Sequence, residues 1–384
     1  MDFVSLFNNF KEQSIAGRYI HLKHIEPLLL HHNRKRNTTI IGHSVLGKPI
    51  YKYVIGSGKI KVLMWSQMHG NESTTTKAVF DLFNFLDSEH NFATFIKNTY
   101  TICIVPILNP DGAEMYQREN ANAIDLNRDA QDLSQPESRV LRNLFQEFVP
   151  NYCYNLHDQR TIYGVGDTNL PSTVSFLAPA FNEAREFDQS RNTAISVICH
   201  LNKVLQNYIP GQVGRYDDAF NANCVGDTFQ MLGVPTILFE AGHYQNDYQR
   251  EQTRKFIFIA LLSSFDAMSE NLSVDNIFND YLSIPLNKTS FLDIIYKNIR
   301  INYDNTILSL SFAAQFNEKI VNFDVEFSAI IQKIDNLENV EGHREYDLEN
   351  AFLDKNFINA IKIGQIASFE LNNGIKFVNG LMIL

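Results

Sequence analysis

Through its first two thirds the chain alternates short, continuous apolar runs with stretches whose apolar residues recur at helical spacing, and no other feature restricts its fold as much. The runs KIKVLMWSQ, TICIVPIL, YCYNLHD and PTILFEAG have the pattern of central strands covered on both faces. NTTIIGHS and KPIYKYVIG read as a strand pair around the glycine-containing turn VLGK. Between these runs, Thr74 to Leu86, Glu137 to Phe148, Phe181 to Tyr208 and Tyr248 to Met268 read as helices. The alternation predicts an α/β fold with a mixed, mostly parallel sheet of the eight-stranded type, flanked by helices.

Past Met268 the texture changes. The stretch NLSVDNIFNDYLSIPLNKTS is polar and loop-like, and it leads into KNIRINYD, TILSLSFAAQF, VNFDVEFSAII, FINAIKIG and ASFELNNGIKFVNG. These shorter alternating runs, with an NNG turn near the end, predict a small β-rich domain over residues 269–384 behind a larger domain over residues 1–268. No site-like cluster falls in the smaller domain, and its role is open from sequence.

Composition narrows the function classes. A formal charge of −10 argues against a general nucleic-acid role, because phosphate binding needs a concentrated basic surface. The one basic run, HHNRKR at 31–36, is short and reads as a solvated helix end. No stretch approaches the roughly 18–20 apolar residues of a membrane helix. The N-terminal MDFVSLFNNFKEQS lacks a basic segment followed by an apolar one, so no signal peptide is read and a cytoplasmic location is expected. Cys103, Cys153, Cys199 and Cys224 form no CxxC pair and read as free thiols in a reducing compartment.

Chemistry concentrates where apolar runs end. His69 and Glu72, in MHGNES, follow KVLMWSQ directly, and His157, in NLHDQR, follows another such run. An HxxE spacing alone is common, but ligands in open α/β sheets gather at the C-terminal ends of strands. Two imidazoles and one carboxylate with a fourth position open is the donor set of a hydrolytic zinc site. Glu240 ends the run VPTILFE, where a carboxylate is costly to bury without a partner or a task, and a general base is such a task. An ordinary salt bridge or a capping role is the competing reading. Between these segments, NPDGAEMYQRENANAIDLNRD carries a turn signal and then Arg118, Asn127 and Arg128. Guanidinium binds carboxylates bidentately and can stabilise an oxyanion, although scattered surface arginines are equally consistent with these residues alone.

With these motifs in order, residues 38–248 resemble the zinc carboxypeptidase family of metallopeptidases, with its funnelin-type α/β fold. The similarity rests on IIGHSVLGKPI, HGNE, NPDG, DLNR, the LHD segment and FEAG. It implies that His69, Glu72 and His157 hold one zinc ion per chain and that Glu240 is the general base of amide hydrolysis. It further implies that Arg118 polarises the scissile carbonyl, and that Asn127 and Arg128 hold the free C-terminal carboxylate of a peptide or peptide-like substrate. The family's substrate-covering tyrosine has its nearest counterpart in Tyr216, by distance before Glu240. Asp129 stands where many relatives carry asparagine, a departure placed beside the terminal-carboxylate pocket. Two alternatives stay open. One is an N-acyl amino acid deacylase similar to the aspartoacylase and succinylglutamate desuccinylase branch, which shares the HGNE-like and DLNR-like motifs. The other is a non-catalytic binding protein that retains a silent metal site.

Overall fold

The computed structural model describes residues 1–31, 34–269, 277–303, 306–335, 337–357 and 361–383. Internal contacts divide the chain into a first unit, residues 1–159 with 172–287, and a second, residues 160–171 with 288–384.

In the first unit β1 (Thr38–His43), β2 (Pro49–Ile55), β3 (Ile60–Ser66), β4 (Tyr100–Val105) and β5 (Tyr152–Asp158) are followed by β6 (Tyr163–Val165), which belongs to the second unit. The first unit then resumes with β7 (Val174–Leu177), β8 (Val213–Arg215) and β9 (Thr236–Ala241). The eight strands of this unit form one mixed sheet in the order β1-β2-β4-β3-β5-β9-β7-β8. β3 is parallel to β4 and β5, and β5 is parallel to β9, while β1–β2, β2–β4 and β7–β9 are antiparallel. The expected mixed sheet flanked by helices is therefore observed.

Helices cover both faces. They are α1 (Phe3–Phe10), α2 (Leu22–Leu29), α3 (Thr74–Leu86), α4 (Asn91–Thr99), α5 (Pro110–Met115), α6 (Pro136–Phe148), α7 (Gln189–Leu205), α8 (Val225–Met231), α9 (Glu251–Ser269) and α10 (Ile277–Ser283). The two-residue period of the strands explains the continuous apolar runs. Val62 and Met64 of β3 enter one core with α3, α7 and α9, whereas Leu63 and Trp65 enter a second with Leu141, Leu144 and Phe145 of α6 and Phe229 of α8. On that second face, by the same period, lie Cys153 and His157 of β5 and Thr236 and Glu240 of β9.

The helix expected from Phe181 begins only at Gln189, because the Asp188 carboxylate caps it by accepting from Arg191 N at 2.7 Å. α10 stands inside the stretch that reads as loop, held by the fully buried Tyr281, and residues 270–276 lie outside the described ones. The basic run is not simply a solvated helix end. Arg34 is buried and pairs with Asp87 at 2.8 Å, while His32 and Asn33 lie outside the described residues.

A buried ionic network ties the N-terminal segment to α3 and α9. Arg254 donates to Asp81 through Nε (2.7 Å) and Nη2 (2.6 Å), to Ile15 O and to Glu12 O, and Asp81 also accepts from Glu12 N. Both partners are fully buried, so removing Asp81 leaves the Arg254 charge only Glu251, at 3.2 Å, as a counter-ion. Asp81→Ala is expected to lower unfolding free energy by about 3–5 kcal/mol, read by urea denaturation.

The second unit is β-rich, as expected. β10 (Asn287–Thr289) pairs with β6, and β11 (Phe291–Tyr303), β12 (Thr306–Val321), β13 (Asp324–Ile334) and β14 (Glu341–Asp347) form a sheet in the order β13-β12-β11-β14. β15 (Phe369–Glu370), β16 (Lys376–Val378) and β17 (Leu381–Ile383) form a three-stranded sheet. The NNG motif turns β15 into β16, with Gly374 at φ +87°. Asn379 and Gly380, both at positive φ, make the next hairpin turn, where Asn-Gly is the favoured pair. FINAIKIG forms no strand among its described residues, and 358–360 lie outside them.

Within the first unit Gln159, Ser172 and Asn287 share one polar network with Ser175. Gln159 Nε2 donates to Ser172 O (2.6 Å), Asn287 Nδ2 donates to Gln159 Oε1 (2.9 Å), and Ser172 Oγ donates to Asn287 Oδ1 (2.9 Å).

Candidate metal centre

The turn between β3 and α3 is shaped by interactions the sequence motif implies. Gln67, at φ +46°, donates through Nε2 to Ile20 O and Gly70 O. A Cβ on Gly70 would stand 1.9 Å from the carbonyl carbon of Gly112, so only glycine admits this approach of α5. The NPDG motif is the start of that helix: Asn109 Oδ1 accepts from Gly112 N, and Asn109 Nδ2 donates to Met68 O.

This turn carries His69 and Glu72 to the C-terminal end of β5. His69 Nδ1 lies 2.8 Å from Glu72 Oε1 and 3.1 Å from His157 Nδ1, and His157 Nδ1 lies 2.8 Å from Glu72 Oε2. All three residues are buried. Among the described residues this is the group of histidine, cysteine and acidic side chains whose donor atoms converge enough to hold an ion. Two imidazole nitrogens facing each other across a carboxylate cannot all satisfy one another. They do suit a tetrahedral zinc ion, whose donors at about 2.0–2.1 Å stand roughly 3.3 Å apart. The residues present therefore fit the metal.

The surroundings support the same role. Asp125 Oδ1 lies 3.0 Å from His69 Nε2, the carboxylate–histidine arrangement that orients a metal-binding ring. Burial alone would raise the Glu72 pKa, but the charges of His69 and His157 and hydrogen bonds from both hold it below the ordinary range. Burial likewise would raise Asp125, yet His69 and Arg118 hold it down.

Glu240 arrives by strand register: it is the β9 partner of His157 in β5 and points to the same face. Burial pushes its carboxyl well above the ordinary value, reinforced by the charges of Glu72 and Asp158 and opposed by Arg118 and Arg250. Its Oε2 is buried with no hydrogen-bond partner among the described residues, an uncommon state that suits a group waiting for a ligand.

Arg118 reaches the cluster. Its Nη1 is 3.1 Å from His69 Nδ1 and 3.4 Å from Glu72 Oε1, while Nε and Nη2 donate to Asp125 Oδ2 at 3.1 and 3.0 Å. Asn127 and Arg128 sit in the short turn Leu126–Arg128, capped by Asp125. Arg128 is exposed, and its Nη1 donates to Asn127 O and to Cys224 Sγ; Asn127 Oδ1 accepts from Val225 N, tying this turn to the start of α8. Asp129 is turned away into the loop before α6, where it accepts from Ser134 N, Ser134 Oγ and Gln135 N. Tyr216 stands apart by strand order, just beyond edge strand β8 and two strands past β9. Asp125 and Asp158 were not singled out from the sequence, although they lie inside the DLNR and LHD motifs.

Comparison with known proteins agrees with this geometry. Residues 29–200 match the family model described as zinc carboxypeptidase. Over 102 residues the chain is 29% identical to a probable carboxypeptidase 2 of Arthroderma benhamiae, covering 27% of this chain and 19% of that protein. Over 136 residues it is 31% identical to carboxypeptidase SOL1 of Arabidopsis thaliana, covering 30% of this chain and 28% of that one. The match thus spans less than a third of the length of either relative. The crystal structure of thrombin activatable fibrinolysis inhibitor shares the fold, with a TM-score of 0.52 at 13% identity over 70% of this chain and 79% of that chain. The family match holds His69, Glu72, Arg118, Asn127, Arg128 and His157. Glu240 lies beyond it and is tied to the cluster by β5–β9 register.

Proposed function

We propose, from the match of residues 29–200 to the zinc carboxypeptidase family model, that this chain hydrolyses the C-terminal amide bond of a peptide or peptide-like substrate. The observation that carries the reading is the convergence of His69, Glu72 and His157 beside an orphaned, buried Glu240. The three ligands would hold one zinc ion, which when bound supplies Lewis acidity toward water and the scissile carbonyl. Glu240 takes the proton of the attacking water and delivers it to the leaving amine. Arg118, oriented by Asp125, places a guanidinium where negative charge develops on the carbonyl oxygen. Arg128 and Asn127 receive the terminal carboxylate. Tyr216 begins the segment whose far end, Cys224, contacts Arg128, and it is assigned to cover the bound terminus.

Among the described residues no helix is long and apolar enough to cross a membrane. The substrate's free terminus distinguishes this reading from the deacylase alternative. A short peptide is expected to be cleaved, its C-terminally amidated counterpart to be nearly inert, and N-acyl amino acids to turn over more slowly than the peptide. Equal rates on the amidated peptide, or preference for N-acyl amino acids, would reject it. Arg128→Ala is expected to raise KM by roughly 10- to 100-fold with a smaller loss in kcat, because a charge-assisted contact of about 1.5–3 kcal/mol is removed from substrate binding. Steady-state kinetics on the unmodified peptide checks this.

A further inference from the structure

Asp158 follows His157 directly and has no part in the chemistry proposed above. It is 7% exposed, and the charges of Glu72 and Glu240 act on the same pocket. A third carboxylate buried there costs free energy unless its oxygens are well bound. Its contacts identify what it holds. Oδ2 accepts from Thr74 N at 2.9 Å and Oδ1 from Thr75 N at 3.4 Å, while its own backbone N donates to Glu72 Oε2 at 3.1 Å.

Thr74 N and Thr75 N are the opening amides of α3, donors with no partner inside the helix. The preceding Ser73 does not cap them, since its hydroxyl donates to Arg18 O instead. The cap comes from β5, 84 residues further along the chain, and the partial positive charge of the helix start suits a carboxylate. One residue therefore grips the ligand turn twice, at the Glu72 carboxylate through its main chain and at the root of α3 through its side chain, and it is covalently next to the third ligand.

We propose that Asp158 is a positioning residue that locks the turn carrying His69 and Glu72 to the strand carrying His157, gathering the three donors before the metal arrives. The inference rests on the reading of those three residues as zinc ligands. It predicts a defect in metal affinity that exceeds any loss of general stability. The outer partners of metal ligands commonly contribute 10- to 100-fold in affinity.

The test uses the full chain, stripped of metal, with zinc affinity measured by competition against a chromogenic chelator and melting temperature recorded without zinc. Asp158→Ala is expected to weaken zinc binding by about 10- to 100-fold. Asp158→Asn should restore most of it, because asparagine caps a helix about as well as aspartate. If Asp158→Ala does not fold, Asp158→Glu carries the test: its longer arm displaces the carboxylate from Thr74 N, and affinity should fall by about tenfold or more. Wild-type affinity in the alanine variant, or in the glutamate variant, overturns the inference, as does an asparagine variant as defective as alanine. A wild-type chain with no zinc affinity would instead sink the proposed function, so the two failures are distinguishable.

Discussion

Glu240→Gln is expected to keep its zinc and to lose turnover by roughly 10²- to 10⁴-fold, the range that general acid–base catalysis contributes. Glutamine preserves the shape of the side chain and its place opposite His157, but it cannot carry a proton from water to the leaving amine. The substitution should also affect the metal-free protein in the opposite direction. Burial raises the carboxyl pKa of Glu240 in the folded state, so stability falls as pH rises above the ordinary carboxylate range, where the unfolded chain ionises freely and the folded one does not. Glutamine has no such cost, and the metal-free variant should melt above the metal-free wild type at neutral pH. Zinc content, kcat and the two melting curves check the three parts together. Near wild-type turnover with zinc bound would remove Glu240 from the base role.

His69→Ala is expected to abolish zinc binding at micromolar metal. The change deletes a donor at the centre of the cluster and also frees Asp125 Oδ1 from the ring nitrogen it orients. Its effect should therefore exceed the roughly 10- to 100-fold of losing an outer partner alone. The rise in melting temperature that zinc gives the wild type through binding the folded state should vanish as well. Elemental analysis after dialysis reads the first effect and calorimetry the second; full occupancy in the variant would contradict the ligand assignment.

Much of the sheet was legible because its central strands are covered on both faces. Runs such as KVLMW and ILF have no polar alternation, and β3, β5 and β9 lie where those runs predict. The candidate site residues stood out for a related reason, since His69, His157 and Glu240 are polar residues placed where an apolar run stops. The structure adds what one-dimensional pattern cannot hold. The pairing of His157 with Glu240 is a matter of register between strands 83 positions apart. Asp125 and Asp158 are recognisable only through what they bind, a ring nitrogen and a helix start supplied by other segments. β7 and β8 are too short, at four and three residues, for periodicity to identify. The loop-like polarity around Asn279 concealed α10, which tertiary packing of Tyr281 stabilises over local preference. No signal in residues 160–171 announces that they join a unit otherwise formed more than a hundred residues later.

Side chains from the β3–α3 turn and the end of β5 are proposed to share one metal ion. Diffraction from crystals of the full chain grown with zinc, recorded on both sides of the zinc absorption edge, addresses it directly. A single strong anomalous peak is expected about 2.0–2.2 Å from His69 Nδ1, His157 Nδ1 and a Glu72 carboxylate oxygen. A peak bound elsewhere, or no peak at saturating zinc with those three side chains ordered, would contradict it.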